Sequence, residues 1–216
     1  MPDIEISEKL ISFLTFLPVF FISIAVHEFA HAFAAHKYGD DTAKNLGRLT
    51  LNPLKHIDIV GTVIMPIASF ATGFALIGWA KPVPVDRRNF KNILKDDAVV
   101  SFAGPFSNLI LALIIYFIFL LVINFFSTGS FTINFLWYGV FLNIFLFMFN
   151  LLPIPPLDGS HILFDLFPNK ITAGLLNLGL YGSIILLLFI YSPLWKYFFN
   201  AINWVLNALL KIGGVL

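Results

Sequence analysis

Residues 10–38 read LISFLTFLPVFFISIAVHEFAHAFAAHKY, and this stretch decides the fold of the 216-residue chain. About 20 apolar residues are enough to cross the hydrocarbon core of a bilayer as a helix, so the stretch is long enough to span. Its second half holds the densest polar insertion in any apolar run of the chain: His27, Glu28, His31 and His36. Ionisable side chains at membrane depth are costly and usually serve a function. The stretch therefore predicts a membrane-spanning helix that carries a functional site.

The rest of the chain continues the apolar pattern and predicts an all-α integral membrane protein. Hydrophobic residues make up 59% of the sequence and charged residues 12%, whereas a typical soluble domain is about 25% charged. We expect about four to six transmembrane helices in a single domain. The further apolar runs, and a less apolar tail that either spans or lies on the surface, are residues 59–80, 98–126, 131–152, 171–191 and 193–216.

Charge and cysteine content narrow the class of protein. The formal net charge is only +1, and no basic face of the kind that nucleic-acid binding requires is visible, so we expect no nucleic-acid partner. The chain has no cysteine. Disulfides and thiolate ligands are therefore excluded, and any bound metal must be held by histidine and carboxylate side chains.

The basic residues predict how the second apolar run, 59–80, lies in the membrane. Nine of the thirteen Lys and Arg residues lie between Lys37 and Lys95, on both sides of this run, and basic residues near span ends favour the cytoplasmic side. Gly and Pro residues interrupt the run, and non-helical backbone at membrane depth is tolerated where protein or a watery cavity surrounds it. We therefore expect a re-entrant or β-hairpin-like segment near the cytoplasmic face, followed by extended chain over 81–85.

Residues 27–31 read His-Glu-Phe-Ala-His, which is an H-E-x-x-H sequence. Residues i and i+4 of a helix share a face, with Cβ atoms about 5–6 Å apart, so His27 and His31 can ligate one zinc ion. Glu28 lies beside them and can act as the base that takes a proton from the attacking water. A chance match is the alternative, and the position of the sequence inside an apolar span argues against it.

A catalytic zinc site needs a third protein ligand and one open position, and Asp158 is our candidate. Prolines shortly before it break the preceding helix, and Gly159 permits a tight turn. A helix N-cap or turn aspartate at the membrane surface is the alternative, and the residues alone do not separate the two. His161 and Asp165 are rival ligands. His36 and His56 are interpreted as solvated surface residues.

Two amides at membrane depth, Asn108 and Asn150, are candidates for polarising a scissile carbonyl or stabilising its oxyanion. An interhelical hydrogen bond is an equally good interpretation of each, and it is the one we assign to Asn143. Asn108, Asn150 and Asp158 belong to spans that begin or end near the cytoplasm, as do the two histidines. Three separate runs thus bring polar residues to a similar depth.

These residues resemble the motifs of the site-2 protease family of intramembrane zinc metalloproteases, peptidase family M50. Residues 27–31 match its zinc helix, and 150–159, NLLPIPPLDG, look like its second signature, whose aspartate is the third zinc ligand. Residues 104–108, GPFSN, are similar to its intermediate motif. Segments 47–53 and 78–85 resemble the small prokaryotic branch of the family, and no PDZ or CBS domain is visible.

The resemblance covers residues 22–166, with C-terminal helices expected at 171–212, and it implies a zinc metalloendopeptidase. One Zn²⁺ per chain would be held by His27, His31 and Asp158. The expected setting is a prokaryotic cell membrane, with the active site toward the cytoplasm. The expected partners are the lipid bilayer and a transmembrane segment of a substrate protein, and a homo-oligomer stays open. A membrane metal-ion transporter, which explains Glu28 poorly, and a non-catalytic metal-binding protein are the alternatives.

Overall fold

The computed structural model describes residues 2–72, 78–127 and 129–215, with the side chains at 2–10, 12 and 70–72 left out of the description. These parts of the chain are predominantly helical and contain no β-strand, as the all-α prediction requires. Short 3₁₀-helices at Pro53–Lys55 and Arg87–Asn89 and a π-helix at Ile59–Ile64 lie between α-helices. The α-helices are α1 (Pro2–Lys37), α2 (Thr42–Asn45), α3 (Met65–Thr72), α4 (Ile93–Phe125), α5 (Ser130–Asn150), α6 (Asp158–Leu166), α7 (Lys170–Leu176), α8 (Leu180–Tyr191) and α9 (Leu194–Ile212).

Within the part of the chain that the structure describes, three helices are long and apolar enough to cross a membrane: Phe13–Lys37 of α1, all of α4, and α5. Helices α7 and α8 meet at 86° and count as a fourth span if the bent pair crosses as one. The described residues therefore support three or four spans, at or below the lower end of the expected four to six. The chain fits an integral membrane protein, because large apolar side chains also remain exposed on the outer faces of α4 and α8.

The bundle core lies between α4, α5 and α9. The largest cluster of buried apolar side chains there comprises Ala112, Tyr116, Phe119, Val140, Ile144, Phe198, Ile202 and Leu206. The Tyr116 hydroxyl, in α4, donates a hydrogen bond to the carbonyl of Leu209, in α9. Helix α9, whose position the sequence left open, thus packs along the bundle. Helix α1 packs against α4 and α5 and is held by its own apolar cluster around Phe20 and Ile24.

Local sequence explains where the site-bearing helices begin and end. The side chain of Asn92 accepts a hydrogen bond from the amide of Lys95 at 3.2 Å and so caps the first turn of α4. Helix α5 ends at Asn150, three residues before the proline-rich stretch that cannot continue a helix. The backbone of Leu157 is extended, and α6 begins at Asp158.

The apolar run 59–80 turns back on itself. The amide of Trp79 donates to the carbonyl of Gly61 at 3.1 Å, and the hydroxyl of Thr62 donates to the carbonyl of Trp79 at 2.7 Å. A continuous helix over this run would separate its ends by about 30 Å, at 1.5 Å per residue. A Cβ atom at position 61 would collide with the Trp79 ring, so the close approach requires glycine. The two ends of the run are therefore adjacent, as the re-entrant prediction requires, and the described residues contain no β-hairpin.

Residues 81–85 form neither helix nor strand, as the prediction of extended chain requires, and the polar loop that contains Arg48 and His56 holds them. The amide of Lys81 donates to the carbonyl of His56 at 2.9 Å, and Nη2 of Arg48 donates to the carbonyl of Lys81 at 2.7 Å. His56 is fully buried, with Nε2 2.8 Å from the carbonyl oxygen of Thr50. Its interpretation as a solvated surface residue is therefore wrong, because the loop that contains His56 packs against residues 81–85. His36 is partly exposed and pairs with Asp41.

Candidate active site

The structure brings together the three side chains that the sequence named as candidate metal ligands. Nε2 of His27 and Nε2 of His31 lie 3.0 Å apart, and Oδ2 of Asp158 lies 3.3 Å and 3.4 Å from them. Tetrahedral zinc with ligand bonds of about 2.0–2.1 Å places its ligand atoms about 3.3 Å from one another. Oδ2 of Asp158 is buried and has no hydrogen-bond partner among the described residues. This donor set therefore fits a zinc ion.

Asp158 reaches the two histidines because helix α5 ends before it and a new helix, α6, begins at Asp158. As the first residue of α6, it follows directly on the extended Leu157. A Cβ atom on Gly159 would collide with the carbonyl oxygens of Leu151 and Leu152. Glycine is thus required here for close backbone approach, which is a stronger demand than the tight turn expected from the sequence.

Helix α4 orients both histidine rings. Nδ1 of His27 lies 2.6 Å from Oδ1 of Asn108, and Nδ1 of His31 lies 2.8 Å from the carbonyl oxygen of Val100. Both partners are oxygen acceptors, so each Nδ1 carries the proton and donates it. Each Nε2 then keeps a free lone pair for a metal, which is the usual arrangement of metal-binding histidine.

Asn108 is fully buried and acts within the helix bundle. Its Nδ2 donates to the carbonyl of Ser23 at 3.1 Å and to Oδ1 of Asn143 at 2.9 Å. Nδ2 of Asn143 in turn donates to the hydroxyl of Ser23 at 2.9 Å. This network joins α1, α4 and α5. The geometry favours the interhelical interpretation for Asn108, as for Asn143, over direct contact with a substrate.

Gly104 has a packing role that was not predicted from the sequence. A Cβ atom at this position would collide with Nε2 of His31 and would lie 2.7 Å from Nε2 of His27. Glycine therefore lets α4 approach the metal-binding atoms themselves. The signal was available, because Gly104 and Asn108 are four residues apart and share a helix face.

Glu28 is buried beside the metal ligands and is held by the extended segment. Its Oε2 accepts a hydrogen bond of 2.7 Å from the amide of Val83. A backbone donor fixes the carboxylate without adding a charge next to it. The sequence predicted both the base and the extended segment but not the contact between them.

A cavity of about 780 Å³ opens in front of these groups. Its walls include the metal-binding cluster, Glu28, the extended segment, the end of α5 and one face of α8. Asn150 lies on this wall, and its Nδ2 donates to the carbonyl of Leu146 at 3.0 Å. Asn150 therefore faces the space in which a substrate would lie, whereas Asn108 is not among the residues that line it.

The two rival ligands lie elsewhere. Oδ1 of Asp165 lies 2.5 Å from Nη2 of Arg87, and Nδ1 of His161 lies 3.6 Å from Oδ2 of Asp97. Neither side chain belongs to the group of donors that could share one metal ion, as far as the described residues show.

The sequence model of peptidase family M50 matches residues 15–132 and 124–190. The chain belongs to peptidase family M50. Membership confirms the resemblance drawn from the three motifs and identifies the cavity as the candidate active site of a peptidase. The family supports a metalloprotease, and the three donors form a group that could hold its metal ion.

Several relatives of the chain carry descriptions of the same kind. A Bacillus subtilis protein named "Putative zinc metalloprotease YwhC" is 45% identical over 183 residues, covering 82% of this chain and 80% of that protein. "Putative zinc metalloprotease Rip2" of Mycolicibacterium smegmatis is 29% identical over 215 residues, covering 94% and 80%. The Mycobacterium tuberculosis protein of that name is 29% identical over 192 residues, covering 86% and 70%. No solved structure matches the chain significantly.

Proposed function

We propose that this M50 peptidase is a zinc-dependent endopeptidase that hydrolyses membrane-protein substrates at membrane depth. The observation that carries the proposal is the cluster of His27, His31 and Asp158 beside Glu28, on a cavity bounded by apolar helices. The names of the relatives support zinc as the metal. The fit of three donor atoms to one tetrahedral ion supports one zinc per chain.

The chemistry follows from the positions of the side chains. Zinc, when bound, would supply activation of a water molecule and polarisation of the scissile carbonyl. Glu28 would take a proton from the attacking water and later give one to the leaving amine. Asn150 faces the cavity and is the amide placed to assist at the carbonyl. Asn108 would contribute by orienting His27.

The substrate must present extended backbone, because a helix hides its peptide bonds in internal hydrogen bonds. Residues 78–85 border the cavity, but the amides of Trp79, Lys81 and Val83 already donate within the chain and positions 82 and 84 are prolines, so only part of this backbone is free to receive a substrate strand. We therefore propose that the substrate is a transmembrane segment that unwinds locally. Basic residues flank both ends of the re-entrant run, which supports a cytoplasmic position of the active site in a prokaryotic cell membrane.

The test separates the base from the metal ligands. Glu28→Gln should abolish cleavage of a model transmembrane substrate by purified protein, with zinc retained. Retained turnover would show that the proton is handled elsewhere, and lost zinc would show that Glu28 supports the metal. Zinc flux in proteoliposomes without any cleavage by the wild type would instead favour the transporter.

A further inference from the structure

Arg87 joins two helices at the wall of the cavity. Its Nη2 lies 2.8 Å from Oδ2 of Asp97, in the second turn of α4, and 2.5 Å from Oδ1 of Asp165, in α6. The side chains of the two aspartates are 5% and 0% exposed. The guanidinium also lies over the ring of Phe164, 5.7 Å from its centroid. One cation therefore bridges two buried carboxylates on different helices.

The bridge adds a polar link between α4 and α6, which also pack directly against each other. Arg87 follows four residues after Val83, whose amide holds Glu28. Asp165 lies seven residues after the metal ligand Asp158 in the same short helix, about 10 Å along its axis. Helix α6 packs against α4, and the ion pair of Asp165 with Arg87 adds a polar contact near its C-terminal end.

We infer that Arg87 is a positioning residue for the metal site. By bridging Asp97 and Asp165, it sets α6 and its first residue Asp158 against the two histidines. It also anchors the segment that holds Glu28. The inference depends on the proposed function for its effect on cleavage, but its effect on metal binding can be measured without a substrate.

Charge balance supports the bridge. Burial raises the pKa of Asp165 to about 7, and the neighbouring Asp97 acts in the same direction against the attraction of Arg87. Below that pH the two carboxyl groups hold one negative charge between them, which one guanidinium balances. His161, whose Nδ1 lies 3.6 Å from Asp97, is the other titratable group at this cluster. Without Arg87, His161 would be the one remaining cation-forming group at the two buried carboxyl groups among the described residues, which is unfavourable.

Arginine is suited to this position for a geometric reason. One nitrogen, Nη2, at the end of a long side chain makes both contacts, and lysine ends in a compact ammonium that can pair with carboxylates but reaches less far. Arg87→Lys should therefore rescue part of what Arg87→Met loses. The neighbouring Arg88 is a matched control, because its side chain is 88% exposed and its one ion pair among the described residues is with Asp86, two residues away.

The experiment measures zinc affinity by chelator competition, and unfolding temperature separately, in the detergent-solubilised full chain. Arg87→Met should lower zinc affinity, by less than the roughly 10–100-fold that follows loss of a direct outer contact to a metal ligand, because Arg87 acts through α6. Arg87→Lys should lie between it and the wild type, and Arg88→Met should match the wild type. Equal zinc affinity in Arg87→Met and Arg88→Met would overturn the inference.

A second variant keeps the test decisive if Arg87→Met fails to fold. Asp165→Ala cuts the link to α6 and leaves the pair of Arg87 with Asp97 intact. It should fold and still bind zinc more weakly than the wild type. Wild-type zinc affinity in Asp165→Ala would refute the positioning role. If the wild type cleaves nothing, the proposed function fails while these zinc measurements still decide the role of Arg87.

Discussion

The two histidine ligands and the aspartate ligand of the candidate metal site are held by different means. His27 and His31 stand one turn apart on α1, and both Nδ1 atoms bond to acceptors on α4. Asp158 is the first residue of the short helix α6, which follows the non-helical segment after α5. Its Oδ2 lacks a hydrogen-bond partner within the described residues. The two histidines, called here the histidine half of the site, are therefore positioned by their spacing on α1 and by the packing of α1 against α4. The carboxylate half depends on contacts made elsewhere in the chain.

Gly104→Ala should break the histidine half and have the largest effect. The added methyl group would collide with Nε2 of His31 and crowd Nε2 of His27. Two ligand atoms are then displaced, so we expect zinc affinity to fall by more than the roughly 100-fold upper range for a lost outer contact. Chelator competition measures it. Gly174→Ala is the control, since a Cβ there meets no atom within 4 Å; equal affinities would contradict the close packing of α4.

Asp158→Asn should break the carboxylate half and have the next largest effect. The amide keeps an oxygen at the ligand position but loses the negative charge that a dication favours. Zinc affinity should fall clearly, while His161→Gln, in the same helix, should change it far less. Metal content after dialysis against a chelator ranks the variants. If His161→Gln lost more zinc than Asp158→Asn, the third ligand would have to be reassigned.

The sequence revealed the parts of the site that depend on neighbouring residues. The spacing of His27 and His31 predicts that they share a helix face. The prolines before Asp158 predict that the preceding helix ends there. The re-entrant run was predictable because basic residues mark both of its ends. All three features are patterns within a single segment.

The features that the sequence did not reveal are contacts between distant segments. The bond between Val83 and Glu28 joins residues 55 positions apart, and the ion pair of Arg87 with Asp165 joins residues 78 positions apart. The burial of His56 depends on how a loop folds under the extended segment. Contacts between residues so far apart leave no periodic pattern in a single sequence. Their partners can therefore be identified only from the folded structure.

Asn108→Ala should have the smallest effect of the three, because it removes an orienting contact and leaves every ligand atom in place. We expect zinc affinity to fall by about 10–100-fold, since Nδ1 of His27 loses its acceptor. Asn124→Ala is the control, because in the described residues that amide bonds within α4, to the carbonyl of Leu120.

Asn143→Ala sharpens the test, since it disturbs the same three-helix network without touching His27. It should lower the unfolding temperature more than the zinc affinity. If Asn143→Ala lost as much zinc as Asn108→Ala, the network would act through packing of the helices, and the bond to His27 would not be what orients the ligand.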